Sequence, residues 1–476
     1  MNSNVNQTSQ TPDKNTPEYL EYLKERGEKI KAEKWNALKE AIAKECDDER
    51  AEKIVKELRD MQDLFGTDNA IWMANLYDPK IGGFYCSNSA RDNEGFLPDI
   101  ENTYTVMCFL ESSGMSEMYG NNWTKALPEW LKKKVGDYIS GCQNEDGFFY
   151  NIQWPKEFIF EEPVRRQPRV TRDLGSSMYV LNRLGITPKY STEQKKDEAK
   201  EEKKSNEPKM LAQFDSPEAF REYMNGIEED IKANEDPAKR AFRFYYYGNM
   251  FQSITAHLNK DEEIKKTFID FLERYQSEKT GVWSEVLNYD ATNGLLKIAH
   301  IANALGYRLR YVDQMVETVM EIIGRNVNDY PAEGGVYIVN AWTCLRLIYE
   351  NILKYGEGTE EERKAKKAAI KSRVFDNAPH LIRIAKEQIA GFKRDDGSFS
   401  YGRKGYSGGI SQGCPNCVAG VVEGDMNGNV LAVNGVRRSI LAALEFAEYM
   451  VPLFTEYERV LFMNILENLE ASVAEK

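Results

Sequence analysis

A glycine turn that closes on an aromatic residue recurs along this chain: Gly82-Gly83-Phe84-Tyr85, Asp146-Gly147-Phe148-Phe149, Gly281-Val282-Trp283, Gly334-Gly335-Val336-Tyr337 and Asp396-Gly397-Ser398-Phe399. Most copies lie between stretches of helical apolar spacing, the signature of a repeated helical hairpin. One hairpin cannot bury its apolar face alone, so neighbouring copies must stack. The spacing predicts six helix pairs, over 52–115, 128–186, 211–258, 262–307, 312–353 and 376–450. In several pairs the second helix is apolar around most of its circumference, as in 103–110, 178–181, 295–299 and 439–444. Helices of that kind are buried, while amphipathic ones pack outside them. Six pairs closed into a double ring satisfy both, so the expected fold class is all-α, an (α/α)6 toroid of six helical hairpins with short glycine-aromatic turns.

The remaining chain organises around that unit. Residues 1–16 are polar and predicted to be disordered, and Thr16-Pro17-Glu18 then opens a charged helical leader over 17–50, with Pro and an acid in the first turn. The toroid is expected over 51–455, interrupted by a charged insertion over 191–210 that holds almost no large apolar residue. A C-terminal helix is expected over 456–476, and the charged run 356–371 reads as a solvated helix. A formal charge of -13 argues against nucleic acid or an anionic membrane as partner, since both reward clustered Lys and Arg. No membrane-length apolar run and no signal-like leader are visible, and seven cysteines, an odd number, read as reduced thiols, which together give a cytoplasmic expectation.

The turns also carry a resemblance. Gln143 to Phe149 and Gln276 to Trp283 both run from a glutamine through a short spacer to a glycine and an aromatic. This is similar to the repeat of the terpenoid cyclase and protein prenyltransferase superfamily of α/α toroids. The resemblance implies the scaffold. It does not extend to the chemistry of those families, because the acid motif of the cyclases is not matched by Asp47-Asp48 or Asp395-Asp396, and Asp425 lacks the Cys and His of a prenyltransferase zinc site.

In a double ring the loops entering the inner helices gather at one mouth of the central cavity. They carry Asp99, Glu101 and Asn102; Arg172 and Asp173; Tyr289, Asp290 and Asn293; Asn340; and the run from Glu423 to Asn429. Taken singly, each polar residue here reads as a helix cap. Together, with the aromatics Trp154, Trp283, Tyr289 and Tyr401, they form the mixture a sugar site needs: rings to stack on, and carboxylates and amides to bond hydroxyls. Glu423 and Asp425, in the long glycine-rich segment 408–429, are the first candidates for a catalytic carboxylate, opposed by Asp99, Asp173 or Glu285. Glu101, Arg172, Trp154, Tyr289, Trp283, Tyr401 and Asn427 are the candidate substrate contacts. Asp425, Asn427 and Asn429 also alternate like oxygen ligands, but the closing glutamate of a calcium loop is missing. Three histidines and a single Cys414-Pro415-Asn416-Cys417 pair offer no further metal pattern, so neither metal nor cofactor is expected.

The sequence therefore points to a carbohydrate-active enzyme, a glycoside hydrolase or polysaccharide lyase acting on an oligosaccharide by carboxylate acid-base chemistry. A toroid handling prenyl or terpene chains, and a non-catalytic binding or scaffold protein, are the alternatives; the lining of the cavity separates them.

Overall fold

The computed structural model describes residues 12, 16–161, 163–191, 212–405, 407, 409–411, 413–430 and 435–474. Nearly all of the expected disordered leader and of the charged insertion lies outside the described residues. Helices take 66% of the chain and strands 3%, so the fold is all-α in the coarse sense. Among the described residues the helices of eight or more residues are α1 (Pro17–Ile42), α2 (Asp48–Gln62), α3 (Thr67–Ala74), α4 (Ile100–Ser112), α5 (Glu129–Gly141), α6 (Pro163–Leu184), α7 (Pro217–Ala233), α8 (Pro237–Ser253), α9 (Glu262–Tyr275), α10 (Tyr289–Leu305), α11 (Val312–Gly324), α12 (Gly335–Tyr355), α13 (Glu360–Ala390), α14 (Val436–Ala443) and α15 (Glu456–Ala474).

The recurrent turns share one construction. Gly82, Gly147, Gly281 and Gly397 have φ of 86°, 83°, 73° and 82°, a left-handed conformation that a side chain would strain. Each turn is pinned by a short backbone bond pair, such as Ser277 N to Val282 O at 3.0 Å and Gly281 N to Ser277 O at 2.8 Å. The glutamines have a job of their own. The Gln276 amide donates to Gly281 O at 2.8 Å and to Arg310 O at 2.9 Å, and that of Gln143 to Gly147 O at 3.3 Å and Tyr190 O at 2.8 Å. Each therefore ties its turn to the next connecting loop. The Gly334-Gly335 copy departs from the pattern. Gly334 is extended, with φ -154°, and Gly335 is the first residue of α12, so this pair starts a helix and makes no left-handed turn.

Helix contacts follow the apolar pattern. The helices α8, α10, α12 and α14 pack in succession, and α4 packs on α6 and on the short helix Met426–Val430. Residues such as Leu295, Ile298 and Ile301 on α10, and Ile338, Trp342 and Leu345 on α12, are fully buried. Each such side chain contributes roughly 1.5–3 kcal/mol by leaving water. Further helices pack around this layer: α11 lies on α12 and α13, α13 on α2, α5 on α6, α7 on α9, and α3 on α15.

The charged leader is no loose appendage. It buries Tyr19, Leu23, Trp35, Leu38 and Ile42 and packs on α2 and α15. The run 356–371 is the exposed first half of α13, opened by a Thr359–Glu362 capping box, and the same helix continues into the core through Phe375, Leu381 and Ile389. One continuous apolar cluster reaches from Trp35 to Leu466. No helix among the described residues is long and apolar enough to cross a membrane.

Candidate functional site

The structure brings part of the expected constellation together where the start of α4 meets the middle of α6; Arg172 and Asp173, expected in a loop entering an inner helix, lie inside α6 itself. Asp99 caps α4, accepting from Asn102 N at 2.7 Å, and the Asn102 amide donates to its other oxygen at 2.5 Å. The Asn151 carbonyl accepts from Ile100 N at 2.7 Å, while its amide donates to Asp173 at 2.9 Å, so one side chain fastens the two helices. Arg169, four residues before Asp173 on α6, donates to both Asp173 oxygens at 3.1 and 2.6 Å and pairs with Glu101 at 2.9 Å. Ser411 donates to Glu101 at 3.0 Å and accepts from Arg169 at 3.2 Å. The Arg169 guanidinium stacks 5.4 Å from the Trp154 ring, whose indole N–H donates to Pro415 O at 3.0 Å.

The electrostatics follow from this geometry. Burial pushes the Asp99 carboxyl up to about 7 against the pull of Arg169, and Asp173 up to about 6 by the same balance. At Glu101 burial acts upward too, but Arg169 and Arg172 outweigh it and hold the group below the ordinary carboxylate range. Asp99 and Asp173 are each 2% exposed and every member of the cluster is hydrogen-bonded. It is a closed network. Only Arg172, exposed and paired to Glu101 at 2.5 Å, leads out of it.

Glu423 and Asp425, the first-choice catalytic carboxylates, are engaged as supports. Glu423 accepts from Ser87 Oγ at 2.8 Å, from Ser89 N at 2.9 Å and from the Ser89 hydroxyl, anchoring the 408–429 segment to the start of the Asn88–Arg91 helix. Asp425 is fully buried and accepts from Gly428 N and Tyr401 N, both at 2.8 Å. A side chain at Gly428 would collide with the backbone of Ser400 and Tyr401, so the chain passes too tightly there for any residue but glycine. The oxygen-ligand alternation is not assembled: Asn429 is fully buried and exchanges side-chain bonds with Asn69, Asn427 is half-buried, and no cluster of three acidic, Cys or His side chains suited to a metal occurs among the described residues. Glu285 lies apart, exposed and paired with Arg240 at 2.7 Å. Trp283 is core, its N–H donating to Leu272 O at 2.7 Å.

A second, more open region is built on α10. Asp290, Asn293, Lys297 and His300 follow at spacings of three and four, which puts them on one face of the helix. Asp290 lines a cleft of about 250 Å³ together with Tyr289, Arg325, Tyr330, Glu333 and Tyr337. Burial raises the Asp290 carboxyl, with the Asn293 amide beside it acting the other way, and no cation pairs with it among the described residues. Burial also pushes the Tyr337 hydroxyl up to about 12, and Asp290, Tyr245, Tyr401 and Glu333 all act on it. Tyr401 in turn senses Tyr245, Asp425 and Arg172. Asp290 thus acts on two half-buried tyrosines, Tyr245 of α8 and Tyr337 of α12, and only Tyr337 shares its cleft. The Asn340 amide donates to Asn293 Oδ1 at 2.9 Å, while the buried Asn293 Nδ2 has no hydrogen-bond partner.

Of the expected residues, the first region therefore holds Asp99, Glu101, Trp154, Arg172 and Asp173; Tyr289 and Tyr401 belong to the second. Tyr245, Tyr337, Glu333 and Lys297 were outside the expected set. Comparison with protein-family models, with characterised proteins and with solved structures finds no match.

Proposed function

We propose that the chain is a carbohydrate-active enzyme, a hydrolase or lyase that acts on an oligosaccharide by carboxylate acid-base chemistry, and that its hairpins close into a six-membered (α/α) ring around the site. The observation that carries this reading is the cleft in which Asp290 and Glu333 stand among Tyr289, Tyr330 and Tyr337. Glycoside chemistry needs one carboxyl that keeps its proton and one that is ionised. Asp290, half-buried, in no ion pair among the described residues and raised by desolvation, suits the acid, and Glu333, exposed and lining the same cleft, suits the base. The aromatic rings offer stacking faces for sugar rings.

Asp99, Asp173, Glu423 and Asp425 are positioning residues in this reading. The first two hold Arg169 and join the start of α4 to the middle of α6, Glu423 anchors the 408–429 segment, and Asp425 fixes the Tyr401 backbone. A cleft lined by Asp290, Arg325 and Glu333 beside its tyrosines suits a sugar better than a hydrocarbon chain, which disfavours the isoprenoid alternative.

Thermal-shift screening against oligosaccharides, followed by product analysis, tests the proposal, because a ligand bound only by the folded chain raises its melting temperature. A glycan that stabilises the wild type and is cleaved by it, but not by Asp290→Asn, is the expected result. If no oligosaccharide shifts the melting curve or is turned over, the proposal fails.

A further inference from the structure

A second cleft, of about 500 Å³, opens at the far end of the helix that carries Asp290. Asp290 stands at the start of α10, whereas this cleft is walled by the loop after α10, the starts of α11 and α13 and the end of α12. The 17 residues of α10 put about 25 Å between the two.

Its charge runs against that of the chain. Four cations, Arg308, Arg310, Arg363 and Lys366, meet two carboxylates there, Asp313 and Glu357, in a protein of formal charge -13. Those carboxylates are already shared: Lys366 and Arg373 both draw on Asp313, and Glu357 pairs with Arg308. Arg310 reaches Glu273, outside the cleft, at 3.5 Å. Half-buried Arg363 pairs with no carboxylate among the described residues; its Nε donates to Leu353 O at 3.0 Å and its Nη1 to Gly358 O at 2.9 Å. Gly356 allows that placement, since a side chain there would come within 3.2 Å of Arg363 Cδ. A guanidinium oriented in advance by backbone carbonyls loses little freedom when an anion arrives.

We infer that this cleft is a second ligand site, for a small molecule bearing a phosphate group, with Arg363 and Arg310 as its phosphate donors. The volume is that of a small-molecule site. Four cations against two carboxylates leave an excess that a phosphate group, about −1.5 to −2 at neutral pH, neutralises better than a single carboxylate does. Planar guanidinium groups also match phosphate oxygens through paired bonds. The inference does not depend on the carbohydrate reading.

Calorimetric titration of the full chain with inorganic pyrophosphate, inorganic phosphate and malonate, at constant ionic strength, tests this. One equivalent of pyrophosphate should bind, more tightly than phosphate, and malonate should bind more weakly than either. Arg363→Met and Arg310→Met should each weaken pyrophosphate binding on the order of ten- to a hundredfold, the usual worth of a hydrogen bond to a charged group, with the urea midpoint near that of the wild type. Arg363→Lys should restore only part of the affinity, because it keeps the charge and loses the fork. Arg383→Met, on α13 but outside the cleft, should change nothing. Saturation by neither phosphate nor pyrophosphate, malonate binding as tightly as pyrophosphate, or an affinity unchanged in both cleft variants would overturn the proposal.

Discussion

The Arg169 cluster and the α10 face both gather charged residues from distant parts of the chain, yet they differ in what is left over. Around Arg169 every carboxylate has a donor: Asp173 takes two guanidinium bonds and an amide, Glu101 takes Arg169, Arg172 and Ser411, and Asp99 takes the Asn102 backbone and side chain. On α10, neither Lys297 nor Asp290 has an ion-pair partner among the described residues, and the Asn293 amide is the group that acts on Asp290. A satisfied network fixes structure, whereas unsatisfied groups at the edge of a cleft are where a ligand gains most by arriving. The contrast separates two kinds of acidic residue that look identical in a sequence.

The largest effect expected from breaking the contrast is on catalysis. Asp290→Asn or Glu333→Gln should lower turnover of the cognate glycan by about 10²- to 10⁴-fold, the usual share of a positioned acid or base, while the urea midpoint stays that of the wild type. A loss of stability equal to the loss of activity would place these residues with the scaffold instead. Next comes Arg169→Met, which strands Asp173 beside Glu101 in a buried site and should cost about 3–5 kcal/mol in urea denaturation. A loss below about 1 kcal/mol would mean that the cluster is not the internal brace described here.

The first of these predictions could not have been written from the sequence, and the reasons are physical. The glycine turns were legible because a left-handed glycine followed by a buried aromatic leaves a local mark, and Gly82, Gly147, Gly281 and Gly397 behave as that mark requires. Gly334-Gly335 was not, because a glycine can also precede a helix in extended conformation. Asp99, Glu101, Arg172 and Asp173 were expected on loops entering inner helices, but Arg172 and Asp173 lie inside α6, and it is the packing of α4 on α6 that brings the four together. Their roles were not legible either, since the deciding partner, Arg169, lies one turn earlier on α6 and carries no motif. The α10 face left a faint signal: Asp290, Asn293, Lys297 and His300 interrupt an otherwise apolar helix at spacings of three and four. Tyr245 and Tyr337 left none, because two tyrosines on separate helices become neighbours only through packing.

A smaller effect sharpens the contrast through pH. Asp99 titrates at about 7 in the folded chain against an ordinary 3.8, so the native state holds this proton more tightly than the unfolded one. The stability it contributes is therefore complete at low pH and is lost as pH rises through about 7, and Asp173, at about 6, acts in the same direction. Asp99→Asn should flatten the decline in melting temperature between about pH 4 and about pH 7. An identical slope in wild type and variant would show that Asp99 is ionised throughout. The smallest effect belongs to Glu285→Gln: an exposed pair with Arg240 contributes at most about 1 kcal/mol, and neither stability nor turnover should change measurably.

The most direct test sets Asp290→Asn against Asp173→Asn, each scored in one buffer for melting temperature and for turnover of the glycan found by screening. The two variants should cross: Asp290→Asn keeps the wild-type melting temperature and loses turnover, while Asp173→Asn melts earlier and its folded fraction still turns substrate over. Asp173→Asn abolishing turnover at an unchanged melting temperature, with Asp290→Asn fully active, would contradict the division between brace and working face.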